Sequence, residues 1–342
     1  MPKPQKVTIR TVAADAGVSV TAVSNVLRNA YGVSDGMRDK VLQSIEKFGY
    51  RPSTAARGMR GRTYMVGVLL NDIVNPFLSE VVTGVQQAFE PTPFKLILGV
   101  GKGESRLESS LIETVIDNRI DGLILVSPHL DPAQQDRFTR QIPMVLLGHH
   151  EPGAASFDTV NTDDVDGARR AVHALYDAGH RNIRMLTLPD DGLSDFDVSR
   201  QREAGFRRGM DEVGLGHEPA LIPCFLRTGL VDGVETTMPD SLRALLQSIR
   251  KPVAFFCWSD LHAVHLTDQA RALGLRVPED VAVIGFDNSP AAALQSIQLS
   301  SFDQGGAVLG RQAGQLLLER IKGRTEPRHL LIPPSLIRRR SY

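Results

Sequence analysis

A chain of 342 residues, 42% apolar and 23% charged, is long enough for several buried cores and too apolar to be disordered. Two cysteines exclude a disulfide framework, and no run approaches the roughly 18 apolar residues of a membrane helix. The formal net charge is zero, which taken alone argues against a polyanionic partner. Its distribution reverses that argument. Residues 1–62 carry eleven Lys or Arg against four acids, a balance of +7, so the remainder carries −7. A basic head on an acidic body is the footprint of phosphate contact.

Thr8 is an N-cap candidate for a first short helix whose apolar stripe is Ile9, Val12, Ala13 and Ala16. Gly17 supplies the left-handed turn and Ser19 caps a second helix, with Val23, Val26 and Leu27 packing it back on the first. These twenty residues alone also fit an ordinary helical hairpin. A third amphipathic helix follows, capped by Ser34, with Val33, Met37, Val41, Leu42, Ile45 and Phe48 at three- and four-residue steps. Three helices with a basic surface favour a helix-turn-helix head, in which the start of the second helix enters a major groove.

The pairs Val12-Ala13, Gly17-Val18-Ser19 and Val23-Ser24, followed by Tyr50-Arg51-Pro52-Ser53-Thr54-Ala55-Ala56-Arg57-Gly58-Met59, carry a closer identification. The segment resembles the head of the lactose-repressor/galactose-repressor family of bacterial transcription regulators, and the likeness extends through the body. The resemblance implies that Val20, Thr21 and Asn25 read base edges while Ser19 and Ser24 clamp phosphates, and Thr8 is counted with them. Val20 offers only methyl contacts and Asn25 stands where Arg is common, so the operator sequence stays open. Residues 52–62 resemble a hinge helix that forms on DNA. Met59 would be the wedge in the minor groove, with Ala56 and Arg57 beside it. Seven helical residues are too few to be stable alone, and Gly58 weakens them by about 1 kcal/mol relative to Ala, so a plain flexible tether also fits.

From residue 63 onward, strands and helices alternate. Buried parallel strands are expected at Met65–Leu70, Phe94–Val100, Gly122–Val126, Met144–Leu147, Ile183–Leu188, Leu221–Phe225, Ala254–Trp258 and Val281–Gly285. Helices are expected at 78–89, 105–118, 164–178, 200–213, 239–250, 260–273 and 305–321. Such alternation implies parallel sheets covered on both faces, and about 280 residues exceed one α/β core. The fold expected is an all-α head, residues 1–51, plus a two-lobed α/β body. That body resembles the periplasmic sugar-binding fold. Crossings near 161, 290 and 324 would assign 63–161 and 291–323 to a first lobe, and 162–290 and 324–342 to a second.

Ligands in open parallel sheets sit beyond the carboxyl ends of strands. Strand ends here present Asn71, Asp72, Phe77, Ser127, His149, Asp163, Trp258, Ser259, Asp260 and Asp287. The family resemblance adds that Arg202 holds the effector from the second lobe and that Asp287, in Gly285-Phe286-Asp287-Asn288, accepts bonds from its hydroxyls. Acids and an Arg fork around an aromatic face suit a polyhydroxylated ring, so a sugar or sugar derivative is the expected effector. Each residue also has a structural reading. Asp163, Asp260 and Asp287 fit helix caps, Trp258 fits core padding, and Arg202 fits a surface ion pair.

Adjacent His149 and His150 point to opposite faces of a strand and do not suit one metal ion. Gly99-Val100-Gly101-Lys102-Gly103 lacks the spacing of a dinucleotide or P-loop motif, and no nucleophile elbow or zinc helix is written. No cofactor, no metal and no catalysis are expected. Without an apolar signal core at its start, the chain reads as cytoplasmic. The function expected is a dimeric, ligand-responsive repressor on a pseudo-palindromic operator, with helix 78–89 and its neighbours as the dimer surface. A small-molecule binding protein or a doubly wound enzyme is the competing reading.

Overall fold

The computed structural model describes residues 7–27, 30–51, 62–101, 104–189, 194–216, 220–224, 228–231 and 234–342. The chain divides into two compact units, Met1–Thr63 and Tyr64–Tyr342. The expected hinge residues Ala56, Arg57 and Met59 lie outside the described residues.

In the head, Thr8 and Thr11 exchange side-chain and backbone bonds, a reciprocal cap that starts helix α1 (Ile9–Ala16). Gly17 ends it at φ 63°, a conformation only glycine adopts cheaply. Ser19 Oγ then accepts the Ala22 N–H at 3.1 Å and opens α2 (Val20–Leu27). Helix α3 (Asp35–Phe48) closes the core of Val12, Ala13, Val23, Val26 and Val41, locked by Ser44 Oγ donating to the Val12 carbonyl at 3.3 Å. Leu27 and Leu42, expected inside, are exposed. An eight-residue helix turns its last residue past the core, and Leu42 sits one step beyond the α3 stripe.

The body holds two six-stranded sheets. The first runs β13-β5-β4-β3-β1-β2, all parallel, with β1 Met65–Leu70, β2 Lys95–Val100, β3 Gly122–Val126, β4 Met144–Leu147, β5 Asp158–Thr162 and β13 His329–Ile332. The second runs β14-β12-β11-β10-β6-β7, with β6 Ile183–Thr187, β7 Leu221–Pro223, β10 Val253–Cys257, β11 Val281–Phe286, β12 Ser300–Asp303 and β14 Ser335–Ile337. Only β14 is antiparallel to its neighbour in that sheet. A separate hairpin pairs β8 Thr228–Val231 with β9 Val234–Thr237.

The chain passes between sheets three times, but two crossings fall later than expected. The first follows β5 at Thr162. The second comes after β12, near 304, rather than at 290, because the polar strand Ser300–Asp303 still pairs with β11. The third lies between β13 and β14, at 333–334, rather than at 324, because His329–Ile332 pairs with β5 of the first sheet. Strand β2, expected buried, is an edge strand whose Ile97 and Leu98 face outward.

Each lobe is clamped by one close helix pair. In the first, α4 (Pro76–Phe89) meets α11 (Gly306–Ile321) so closely that a Cβ on Gly310 would lie 1.9 Å from the Val81 carbonyl oxygen. In the second, α7 (Asp164–Asp177) meets α8 (Val198–Glu212), where a Cβ on Gly205 would lie 2.2 Å from the Val165 carbonyl oxygen. The remaining body helices are α5 (Ser105–Asp117), α6 (Pro132–Thr139), α9 (Met238–Ser248) and α10 (Asp260–Ala272). Among the described residues no helix is long and apolar enough to cross a membrane.

Candidate functional site

The head presents one open polar edge. Ser19, Val20 and Thr21 are exposed at the start of α2, Asn25 is half-buried one turn further, and Thr8 is exposed at the head of α1. Ser24, expected to clamp a phosphate, is buried on the inner side of α2.

In the body, a cavity of about 760 Å³ opens between the lobes at the carboxyl ends of both sheets. From the first lobe come Asn71, Asp72, Ile73, Val74, Asn75, Phe77, Ser127 and His129, mostly on the loops after β1 and β3. Asn75 caps α4 ahead of Pro76, accepting the Phe77 N–H, and Asp72 Oδ1 accepts the Val74 N–H at 2.7 Å, so this rim is folded on its own side chains.

The second-lobe wall is built around one guanidinium. Arg202, on α8 and only 3% exposed, donates from Nε to Asp164 Oδ1 at 2.7 Å and from Nη1 to the Trp258 carbonyl at 2.5 Å. Its Nη2 reaches Gln304 Oε1 at 3.3 Å. Its charged end lies 4.1 Å from the Phe286 ring centroid and 5.0 Å from that of Trp258, within cation–π range. Asp164, the first residue of α7, takes a second bond from His150 Nε2 at 2.8 Å. Burial alone would raise the Asp164 pKa. The Arg202 charge and the bonds from His150 and Arg202 outweigh it and hold the carboxylate below its usual range.

Asp287 stands at the end of β11 with φ 124°, a strained backbone for an L residue. Its Oδ1 accepts from Gln304 Nε2 at 2.5 Å and its Oδ2 from Asn75 Nδ2 at 3.0 Å, so it links the second lobe to the first across the cavity. Thr162 Oγ1 donates to Gln304 at 2.8 Å and ties the first crossing to the second. Burial and the Asp260 carboxylate behind it push Asp287 up to about 8, against the opposing pull of Arg202, Asn75 and Gln304. A buried base-like carboxylate, an oriented amide and an Arg fork beside an indole offer donors and acceptors on several sides of one ring. That is the chemistry of polyol recognition.

The description "Bacterial regulatory proteins, lacI family" belongs to the family profile matching residues 8–53, and "Periplasmic binding protein-like domain" to the one matching residues 172–342. A transcriptional repressor, PurR, of Photobacterium profundum is 30% identical over 341 residues, 98% of each chain. The chain belongs to the LacI family. The ribose operon repressor of Haemophilus influenzae is likewise 30% identical over 343 residues, covering 98% of both. The solved structure of a transcriptional regulator, CelR, in complex with cellobiose superposes with a TM-score of 0.69 at 27% identity, covering 98% of this chain and all of that one.

Within this LacI-family cleft, six residues expected from strand ends or resemblance line the cavity together: Asn71, Asp72, Phe77, Ser127, Trp258 and Asp287. Arg202 joins them. Four others do not line it. His149 turns its ring to Glu151 and Phe196, its Nε2 3.0 Å from Glu151 Oε2. Asp163 caps α7, accepting the Asp166 N–H at 2.9 Å. Ser259 bonds His262 Nδ1 at 3.1 Å beneath Trp258. Asp260 holds the Ser301 hydroxyl at 2.5 Å and the Ser289 N–H at 2.6 Å, bracing β11 and β12 from behind. These four obey the capping or bracing alternative because a strand's last residues alternate in direction, and only every second one faces the ligand. Trp258 does both jobs. It packs against the core, donates from Nε1 to Ser199 Oγ at 3.0 Å and still faces the cavity.

Sequence reasoning missed Asn75, Asn161, Asp164, Asp197, Ser199 and Gln304. The Asn75-Pro76 pair is a helix-start signature that was available. Gln304 follows a strand written Ser300-Ser301-Phe302-Asp303, which has no apolar run to reveal it.

Proposed function

We propose that the cleft of this LacI-family regulator binds a sugar or sugar derivative, and that its occupancy sets the affinity of the head for an operator. The observation that carries the reading is the Arg202–Asp164–Gln304–Asp287 network closing on a 760 Å³ cavity between lobes. The relative named as a ribose operon repressor and the cellobiose complex support a small-molecule effector of this class. Asn71, Asp72, Phe77, Ser127, Arg202, Trp258 and Asp287 are the expression of that site here. A ligand competing for Asp287 breaks its bond to Asn75 and frees one lobe to turn against the other. Coupling of this kind is reciprocal, so DNA alters effector affinity by the same factor.

Ser19, Val20, Thr21 and Asn25 would meet the major groove, and Ala56, Arg57 and Met59 the minor groove. Two heads read two half-sites, so the protein acts as a homodimer on a pseudo-palindrome. The exposed Ile97 and Leu98 of edge strand β2, beside the α4 region, support a first-lobe dimer surface. The regulator works in the cytoplasm, where its DNA is, and catalyses nothing. Binding of the full chain to duplexes from upstream of its own and neighbouring genes, followed by anisotropy across a salt series, tests this. The expected result is a steep loss of affinity with salt and a further change on adding effector. Affinity for duplex no greater than that of residues 63–342 alone would overturn it.

A further inference from the structure

We infer that the cleft selects an uncharged or amine-bearing polyol and rejects phosphorylated or carboxylated forms of the same ring. This rests on the cleft being the effector site. Four carboxylates line the cavity, Asp72, Asp164, Asp197 and Asp287; among the described residues the only cationic groups are Arg202 and, when protonated, His129. The charge of each is already matched by a buried carboxylate, Asp164 for Arg202 and Glu108 for His129. Arg202 is buried against Asp164, the Trp258 carbonyl and the Gln304 amide oxygen, with aromatic rings beside it. His129 has the buried Glu108 carboxylate 3.6 Å from Nδ1, and that carboxylate raises its pKa.

The acids are placed differently. Among the described residues Asp72, Asp197 and Asp287 form no ion pair. Asp72 spends Oδ1 on backbone N–H groups of its own loop, and Asp197 spends Oδ1 on the Ser199 N–H. Asp287 accepts only from neutral amides. An incoming phosphate would meet the Asp72 and Asp197 carboxylates in a partly desolvated cavity, with no guanidinium among its described lining residues whose charge is unmatched. Like charges some 6 Å apart at an intermediate dielectric weaken binding on the order of 100-fold. An ammonium group meets Asp72 and Asp197 as partners, and a hydroxyl meets all three acids as acceptors.

The test uses the full-length protein in thermal-shift and calorimetric titrations with D-glucose, D-galactose, D-ribose and cellobiose. D-glucosamine, D-galactosamine and the phosphates of glucose, galactose and ribose complete the set. The expected result is that a ring giving a stabilising shift loses it on phosphorylation and keeps it on amination. A phosphorylated form binding as tightly as its parent overturns the inference and leaves the sugar site standing. Binding by no member overturns the sugar reading itself and the inference with it. In the double variant Asp72→Asn, Asp197→Asn, which preserves both backbone caps, the phosphorylated form should gain at least roughly tenfold. No gain would make the exclusion steric and overturn the charge argument.

Discussion

The two sides of the cleft hold their polar groups in opposite ways. On the second lobe and the crossing beside it, Arg202, Asp164, Gln304 and Asp287 are bonded to one another, nearly all out of solvent, and mounted on helices α7 and α8, the end of β11 and the segment after β12. On the first lobe, Asn71, Asp72 and Asn75 sit on one loop and bond mainly to its own backbone, while Ile73 is 69% and Val74 44% exposed. Among the described residues, only the Asn75–Asp287 bond joins the two polar sets directly. A fixed wall faces an adaptable lip. On the proposed reading, orientation of a ligand falls to the second lobe and closure over it to the first.

The comparison breaks first at Arg202. Arg202→Ala strands the Asp164 carboxylate, 1% exposed, with His150 as its remaining partner. Removing one member of a buried pair costs about 3–5 kcal/mol, so a large fall in Tm should accompany loss of the effector response. The paired replacement Arg202→Met, Asp164→Leu removes both charges and should recover most of the Tm without the response. Full recovery of the response as well would show that the wall does not orient the ligand.

Helix packing gives the next largest effect and separates the lobes more sharply. Gly205→Ala and Gly310→Ala each drive a methyl into a backbone carbonyl, at 2.2 and 1.9 Å before relaxation. Overpacking of this kind costs about 1–3 kcal/mol in either lobe, read as a lowered urea midpoint. Effector affinity should respond unequally. Helices α7 and α8 carry Asp164 and Arg202, so Gly205→Ala should weaken binding clearly, whereas the first-lobe loop absorbs the shift caused by Gly310→Ala. Equal losses of affinity would contradict the division of labour.

The same contrast explains how much the sequence revealed. Strands buried on both faces, such as Gly122–Val126 and Val281–Phe286, are written as apolar runs and were legible, as were the capped helices between them. His329–Ile332 and Ser335–Ile337 were not, because they are short and only partly buried, and Asp158–Thr162 and Ser300–Asp303 were not, because their burial is secured by hydrogen bonds and ion pairs rather than apolar content. Asp158 is one example, buried under Arg320 and Arg324. Misplacing those strands is what displaced two lobe crossings. The hairpin at Thr228–Thr237 did leave a signal, Asp232-Gly233 between two valines. At the site, family resemblance found Arg202 and, with strand-end position, Asp287, but direction decided Asp164 over Asp163 and Trp258 over Ser259. A one-residue step turns a side chain to the opposite side, and no pattern of residue types records that step.

Asp287 yields a smaller effect with a definite sign. Its pKa rises from 3.8 to about 8 on folding, by burial and the neighbouring Asp260. Between those values the unfolded chain has released a proton that the folded protein keeps, so this group lowers stability as pH rises through the window. Buried His262, pushed down to about 4 from 6.5, works the other way and adds stability as pH rises from about 4 to 6.5. Above 6.5 that compensation is complete. Asp287→Asn should therefore melt progressively higher than the parent from pH 6.5 to 8, by a few degrees at the upper end, in ligand-free protein. A difference in Tm independent of pH would mean that Asp287 is ionised throughout, and the fixed wall would then carry one more negative charge.

The smallest effect on stability should come from the lip. Ile73 lines the cavity yet stays largely in water, so Ile73→Ser should change unfolding free energy by no more than about 0.5 kcal/mol. Closure over a ligand would bury that side chain, worth roughly 1.5 kcal/mol, and its loss should weaken effector binding by about tenfold. Among the described residues of the second-lobe wall, Asp164, Asp197, Ser199, Arg202 and Asp287 are already buried before ligand arrives. A variant that lowers affinity while leaving Tm untouched is what burial on binding predicts at Ile73. Calorimetry on Ile73→Ser that found an unchanged Kd would place closure elsewhere and leave the first-lobe loop as a passive edge.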